Sequence, residues 1–271
     1  MTNPFGFEGK RVVVTGGFSG VGAALVEVLA EQGAEHITVL DVNEPTGSAQ
    51  TFIRTDLSDP ASVDAAVAAI EGPVHALFNN AGVAGTLPAP AVFAINYLSL
   101  RRLTEALVAK NALPEGAAIV NTASIAGISW PAHLEAIKQL IAIEDWDAAQ
   151  EWLASNELGS DAYSYSKELV QVYTMHYART ASAKGLRINS VCPSPIDTPL
   201  LPDFRKTISD KVIDWNISQG NGRLATGRDV ALALAFLGSD ASGFVNGVNI
   251  NLDGGFNAGL TVGNLDFSGL A

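Results

Sequence analysis

Apolar residues along this chain follow two rhythms. Residues 11–15 (RVVVT) make a short continuous run of the kind a buried strand carries, and Ile37–Asp41, His75–Asn79, Ala117–Thr122, Arg187–Cys192 and Gly247–Leu252 repeat it. Between the first two runs, from about Gly20 to Gln32, Val21, Leu25, Val28 and Leu29 recur at helical spacing, and Gly33 stands where a helix would end. Residues 60–70 open with Pro and read as an amphipathic helix. Ala91–Lys110 reads as a long helix, and the chain is helical again through much of 131–156, 161–183 and Arg228–Leu237. A loop with short helices fills 195–222. Strand and helix alternate from end to end, which predicts an α/β fold: a doubly wound parallel sheet with helices on both faces. No repeat, linker or composition break interrupts residues 1–271, so they read as one domain.

Composition narrows the function classes. The 271 residues are 48% hydrophobic, which excludes intrinsic disorder and is enough for a sizeable core. A formal net charge of −12 argues against nucleic-acid or anionic-membrane partners, because phosphate binding needs clustered Lys and Arg. No window of about 18 apolar residues exists to span a membrane, and the start, MTNPFGFEGK, lacks a secretory pattern. A soluble cytoplasmic protein is the expectation. The single Cys192 excludes an internal disulfide and reads as a buried structural thiol. The histidines 36, 75, 133 and 176 show no metal-ligand spacing, so no metal is expected; His176 reads as packed, and Arg101-Arg102 as a solvated helix face.

Candidate chemistry begins at Thr15-Gly16-Gly17-Phe18-Ser19-Gly20-Val21-Gly22, between the first strand and the first helix. Glycines there let the backbone approach a pyrophosphate, and the helix N-terminus adds N–H groups and partial positive charge; the alternative is an ordinary tight turn. Asp41 ends the second strand, 19 residues after Gly22. A carboxylate at that place accepts the ribose hydroxyls of NAD and repels a 2′-phosphate, unless it is merely a solvated strand-end acid. Neither Gly17, Phe18, Ser19 nor Val42 brings a cation for that phosphate, so NAD is favoured over NADP.

Of the five tyrosines, only Tyr163 has a lysine, Lys167, four residues on, which places both on one face of a helix. A nearby ammonium is expected to lower the phenol pKa and fit it to exchange a proton with an alcohol or carbonyl oxygen.

With these motifs the chain resembles the short-chain dehydrogenase/reductase family, whose fold is a single Rossmann-type sheet. The matching residues are Thr15–Gly22, Asp56-Leu57, Asn79-Asn80-Ala81-Gly82, Asn96, Ser124 in IVNTASIAG, Tyr163-x-x-x-Lys167, Asn189…Pro193…Thr198 and Asp253-Gly254-Gly255, in family order over nearly the whole chain. The resemblance implies that Tyr163 is the general acid/base, that Lys167 holds the nicotinamide ribose, that Ser124 hydrogen-bonds the substrate oxygen and that Asn96 anchors a water. It further implies that Gly16, Ser19, Gly20, Val21 and Gly22 cradle the NAD phosphates, that Asp56 and Leu57 bracket the adenine, and that Asn80, Ala81 and Gly82 line the cofactor. Pro193, Ile196 and Thr198 then meet the nicotinamide end. The blander alternatives are a strand-end cap for Ser124 and, for Asn96, a buried polar group satisfying helix backbone; Asn79 is expected to brace strands. The implied partner is a small-molecule alcohol or carbonyl substrate, and the implied assembly a homodimer or homotetramer.

Two departures point to a branch. Ser124 and Tyr163 lie 39 residues apart, far beyond the family's usual spacing, with an insertion at about 130–158 that carries six acids against one lysine. It reads as a solvated acidic face over an apolar underside, which blocks the usual dimer mode, covers the active site or builds another interface. Asn80 to Asn96 is also short, so the helix usual there is expected to be missing. The combination resembles a bacterial branch of 3α-hydroxysteroid dehydrogenase/carbonyl reductases and coniferyl-alcohol dehydrogenases. In the loop at about 199–222, Leu200, Leu201, Phe204, Ile208, Ile213 and Trp215 wall an apolar substrate pocket or form the core face of two short helices. Ser194 replaces the family's usual Gly. An enoyl reductase separates its tyrosine and lysine more widely, and the residue seven before Lys167 is Ser160, not tyrosine; an epimerase carries a larger C-terminal substrate domain. A non-catalytic NAD-binding regulator is the remaining rival.

Overall fold

The structure, a computed structural model, describes residues 3–270. Seven strands form a parallel sheet: β1 (Arg11–Thr15), β2 (His36–Asp41), β3 (Thr51–Arg54), β4 (Ala76–Asn79), β5 (Ala118–Thr122), β6 (Arg187–Pro193) and β9 (Asn249–Leu252), in the order β3-β2-β1-β4-β5-β6-β9. A separate pair joins β7 (Ile196–Asp197) to β8 (Ala225–Thr226). The sheet is buried on both faces because its apolar runs are continuous: successive side chains alternate in direction. Val13, Leu77 and Ile119 face one core, while Val12, Val14, Phe78 and Val120 face the other. On the second face α1 (Gly20–Glu31) packs against α10 (Gly227–Gly238). On the first lie α2 (Pro60–Ala69), α4 (Ser99–Ala109) and α7 (Ala162–Ala183). Among the described residues no helix is long and apolar enough to cross a membrane.

Some elements differ from the sequence reading. The short edge strand β3 and the C-terminal α11 (Phe256–Val262) go unread in the pattern. The long helix at 91–110 is α3 (Ala89–Phe93) and α4 joined by a π-helical turn, Ala94–Leu98. The insertion folds as α5 (Trp130–Ile141) and α6 (Trp146–Ser155), separated where Asp145 caps α6 by accepting from the Ala148 N–H at 2.8 Å. Its underside, Ile137, Leu140, Ile141, Ala149 and Leu153, is buried against the α7 side of the core, and its six acids are exposed. Arg101 is therefore not solvated: it is 8% exposed, bonded to Glu105 and, at 2.7 Å, to the Ile143 carbonyl between α5 and α6. His176, read as packed, is exposed on α7.

Candidate active site

The carboxyl ends of β1, β2, β4, β5 and β6 open onto a cavity of about 810 Å³. It sits at the β1/β4 switch point, where winding reverses and doubly wound sheets leave a crevice.

One half is a backbone cradle. Gly16 (φ +71°) and Gly20 (φ +56°) bend the turn between β1 and α1 through left-handed conformations. A Cβ on Gly22 would stand 1.9 Å from the Gly16 carbonyl oxygen, so Gly22 lies behind the lining and lets α1 start tightly under the turn. Ser19 caps α1 without a side-chain bond, so no side chain occupies the helix N-terminus. Thr15 Oγ1 accepts from the N–H groups of Asn80 and Ala81, both at 3.0 Å, locking the ends of β1 and β4 together. At the far end, Asp41 accepts from the Phe18 and Asn43 N–H groups on its two oxygens, each at 3.0 Å, and each oxygen keeps capacity for a ligand hydroxyl. Asp56 lines the same end, with Leu57; hydrogen bonds from the Ser58 hydroxyl and N–H hold its carboxyl below the ordinary range. One expectation needs correction here. The parallel register sets Arg54 beside Asp41, and its guanidinium donates to the Val42 carbonyl at 2.6 Å, so a cation does stand near this strand end.

The other half holds Ser124, Tyr163 and Lys167. Asp161 caps α7 at the Ser164 N–H (3.0 Å), and one turn in, Tyr163 and Lys167 both face the cavity. Lys167 Nζ lies 5.8 Å from the Tyr163 ring centre and donates to the Thr122 carbonyl at 3.0 Å. Only 4% of Lys167 is exposed, and burial pulls its ammonium down to about 8. Burial pushes the Tyr163 phenol up to about 12, and the group that opposes this is the Ser124 hydroxyl. The expected lowering of the phenol by the ammonium is thus not met: Lys167 is bonded to the Thr122 carbonyl, and desolvation of the phenol wins. Ser124 Oγ accepts from the Ala126 N–H at 3.1 Å, which leaves its own proton to donate. Asn96, in the π turn, does not line the cavity. Its side chain bonds the Val83 N–H (2.8 Å), the Val83 carbonyl (3.1 Å) and Ser166 Oγ (3.0 Å), so it is a buried polar group that satisfies loop backbone after β4 rather than the backbone of a helix. A Cβ on Gly82 would lie 3.4 Å from both Asn96 Oδ1 and Lys167 Nζ, so Asn96 backs the lysine. Asn79 braces β4 to Asn121 of β5 at 2.9 Å. Cys192 is fully buried, and burial pushes its thiol up to about 11, as suits a structural thiol.

Apart from Gly22 and Asn96, every residue to which the resemblance gives a catalytic or cofactor role lines this one cavity: Gly16, Ser19 to Val21, Asp56, Leu57, Asn80 to Gly82, Ser124, Tyr163, Lys167, Pro193, Ile196 and Thr198; of the other matching residues, Asn79, Asn189 and Asp253 to Gly255 do not. No residue of the insertion does. The roof comes from α8 (Leu201–Thr207) and α9 (Asp210–Gln219). Leu200, Phe204, Ile208 and Ile213 line it; Leu201 and Trp215 do not, and Trp215 instead donates to the Asp266 carbonyl at 2.7 Å. Phe204 meets the Tyr163 ring edge-on at 4.9 Å. Val212 and Asn216 of α9 and Phe256 of α11 join the lining and were not singled out. The signal for α9 was present: 212, 213 and 216 fall on one helical face. The only Lys or Arg side chain on this lining, among the described residues, is Lys167.

Comparisons with known proteins agree with this geometry. A family model described as short chain dehydrogenase matches residues 10–136, and one described as enoyl-(acyl carrier protein) reductase matches 148–257. The chain is 34% identical over 248 residues to a coniferyl-alcohol dehydrogenase of a Pseudomonas sp., covering 91% of this chain and 96% of that one. The solved 3-alpha-hydroxysteroid dehydrogenase of Pseudomonas sp. B-0831, complexed with NADH, superposes with a TM-score of 0.77 at 29% identity, covering 93% and 99%. A short chain dehydrogenase from Burkholderia cenocepacia J2315 in complex with NADP superposes with a TM-score of 0.71 at 26% identity, covering 93% and 99%.

Proposed function

The chain belongs to the short-chain dehydrogenase/reductase family, an oxidoreductase family, and we propose that it is an NAD-dependent alcohol dehydrogenase/carbonyl reductase for a bulky, largely apolar alcohol, a hydroxysteroid or an aryl-allylic alcohol of the coniferyl type. The observation that carries this reading is that Ser124, Tyr163 and Lys167 meet at an apolar end of the cavity whose other end presents Asp41. The residues fit the dinucleotide: a Cβ on Gly22 would collapse the cradle, no side chain caps α1, and Asp41 keeps acceptor capacity for ribose hydroxyls.

NAD, when bound, supplies the acceptor for the hydride that leaves the carbinol carbon. The chain's own groups do the rest. Ser124 donates its hydroxyl proton to the substrate oxygen and orients it. Tyr163 Oη, as phenolate, takes the proton from that oxygen while the C–O bond becomes C=O; in reduction it returns the proton. Lys167 holds the nicotinamide ribose and its charge favours the phenolate once the site is filled. Asn96 positions the lysine and the water behind it. The cradle, from Gly16 through Gly22 with Asn80, Ala81 and Gly82, holds the phosphates and sugar, Asp56 and Leu57 bracket the adenine, and Pro193, Ile196 and Thr198 close on the nicotinamide. Alcohol chemistry is preferred to enoyl reduction because tyrosine and lysine lie four residues apart, on one face of α7.

The reading includes one domain, a cytoplasmic location and a homodimer or homotetramer. Fully exposed Phe244, with Val248 beside the edge strand β9 and Leu232 and Phe236 on α10, supports self-association; light scattering of the purified chain decides it.

The functional test is NADH or NADPH formation at 340 nm from NAD⁺ or NADP⁺ over 3α-hydroxysteroids, coniferyl and cinnamyl alcohols and simple secondary alcohols. Tyr163→Phe is expected to lower turnover by about 10²–10⁴-fold. A Phe variant with intact turnover overturns the mechanism. Silence across the panel while NADH still binds favours a binding protein.

A further inference from the structure

The roof of the cavity carries two polar side chains for which the proposed reaction has no use, and of these Thr207 is already bonded to the Asp203 and Phe204 carbonyls of its own helix. Asn216 lies on α9 one turn beyond Val212 and Ile213, on the face that lines the cavity. It is 9% exposed, and its carboxamide makes no hydrogen bond to any described residue. Its polar atoms are not sealed from solvent but open into the cavity, and a free carboxamide in an otherwise apolar wall marks a place where a ligand supplies the partner.

Its position is fixed. Arg205 of α8 bridges Asp210 at 2.7 Å and Asp214 at 2.9 Å, tying α8 to α9. On the opposite side Trp215 is anchored to the Asp266 carbonyl and meets Phe256 edge-on at 5.3 Å. In the roof, α8 is the element against Tyr163, through Phe204, and α9 follows it toward α11. Asn216 therefore sits on a different roof element from the one that meets Tyr163, on the helix that continues toward α11. Its amide offers two donors and an acceptor and no charge. Since Lys167 is the only cation among the described lining residues, nothing there matches a carboxylate or phosphate.

We propose that Asn216 is a specificity-determining residue that hydrogen-bonds a neutral polar group, a hydroxyl or carbonyl, on the part of an apolar alcohol substrate remote from the carbinol being oxidised. This rests on the reading of the cavity as an alcohol dehydrogenase site and adds the substrate's second polar group to it. Two substrate pairs separate the sources of that group: 4-hydroxycinnamyl against cinnamyl alcohol, and a 3α-hydroxysteroid with and without a 17-carbonyl.

The wild type is expected to favour the doubly polar member of at least one pair by about 10-fold or more in kcat/KM, since a site built around a hydrogen bond rejects the analogue lacking it. In Asn216→Leu, which keeps the branching at Cγ and removes the polar atoms, the ratio is expected to collapse to about 1, the loss falling on the doubly polar member. Equal wild-type use of both members in both pairs overturns the proposal. So does an Asn216→Leu variant that loses both members equally, or one that binds NADH several-fold more weakly, which would assign the amide to pocket shape or to the cofactor. If no alcohol is oxidised, the same pairs are titrated into wild type and variant by quenching of tryptophan fluorescence. A wild-type preference lost in the variant then keeps the subsite and overturns the reaction; equal affinities overturn the subsite itself.

Discussion

Replacing Lys167 with Met separates what the lysine does for stability from what it does for turnover. The ammonium is 4% exposed, and burial brings its pKa from an ordinary 10.5 to about 8. At 1.36 kcal/mol per tenfold, holding it charged in the folded protein at pH 7 costs roughly 3 kcal/mol. Met removes that cost and loses the bond to the Thr122 carbonyl at 3.0 Å, worth about 1 kcal/mol. The variant is therefore expected to be more stable than the wild type by about 2 kcal/mol at pH 7 and to have no measurable turnover. The pH dependence follows from the direction of the shift. The unfolded lysine keeps its proton to about pH 10.5 and the folded one releases it near pH 8, so the unfolded state binds more protons between them and wild-type stability rises with pH there. By pH 10 the wild-type cost falls below about 1 kcal/mol, and the variant's advantage is expected to vanish. The raised Tyr163 lowers stability at high pH in both proteins and cancels in the difference, whereas the Cys192 thiol, which the Lys167 charge holds down, is raised further in the variant and shrinks its advantage at high pH in the same direction. Urea unfolding of both proteins without cofactor at pH 7, 8.5 and 10 measures this. A variant less stable at pH 7, or a difference that does not change with pH, refutes the reasoning.

Three further outcomes are expected. His133→Leu leaves the fully buried Glu168 carboxylate without the imidazole that bonds it at 2.5 Å, and is expected to cost about 3–5 kcal/mol in urea unfolding, with His133→Leu/Glu168→Leu recovering more than half. Gly22→Ala places a methyl against the Gly16 carbonyl and the Asn80 amide, so NADH affinity by fluorescence is expected to fall by about 100-fold or more. Asp41→Ser removes the carboxylate while Arg54 stays beside the Val42 carbonyl, so the kcat/KM ratio of NADP⁺ to NAD⁺ is expected to rise by about 10-fold or more, and an unchanged ratio counts against Asp41 as the discriminating group.

What the sequence made legible was what depends on local period and spacing. Val12, Val13 and Val14 declared a strand buried on both faces, and the sheet places them in two cores. The four-residue step from Tyr163 to Lys167 declared a shared helical face, and both line one cavity. What failed depends on register and burial. The half-buried strand β3 has only four residues and no strong alternation, so the pattern does not reveal it, nor the Asp41–Arg54 pairing that places a guanidinium near the end of β2. The protonation of Tyr163 was misjudged because spacing reports a neighbouring ammonium but neither its desolvation nor its bond to Thr122. Asn216 carries no motif; its meaning comes from the apolar company it keeps in the folded wall.

The insertion follows the same logic. Its acids and apolar positions announced an amphipathic helical pair, but not what the apolar side covers. In the fold it covers the flank of α3, α4 and α7: Gln150 donates to the Pro90 carbonyl at 3.0 Å, and Arg101 is drawn into burial by the Ile143 carbonyl. At α7 the contact is polar and specific. Glu168, the residue after Lys167, accepts from Ser160 Oγ at 2.7 Å on one oxygen and meets His133 of α5 on the other. The insertion thus grips the helix that carries Tyr163 and Lys167 from behind, while no residue of it reaches the cavity. Substitutions in α5 and α6 should therefore alter stability and assembly with little effect on which alcohol is chosen. On the proposed reading, substrate choice falls to the roof of α8 and α9, where Phe204 abuts Tyr163 and Asn216 offers a carboxamide that bonds none of the described residues.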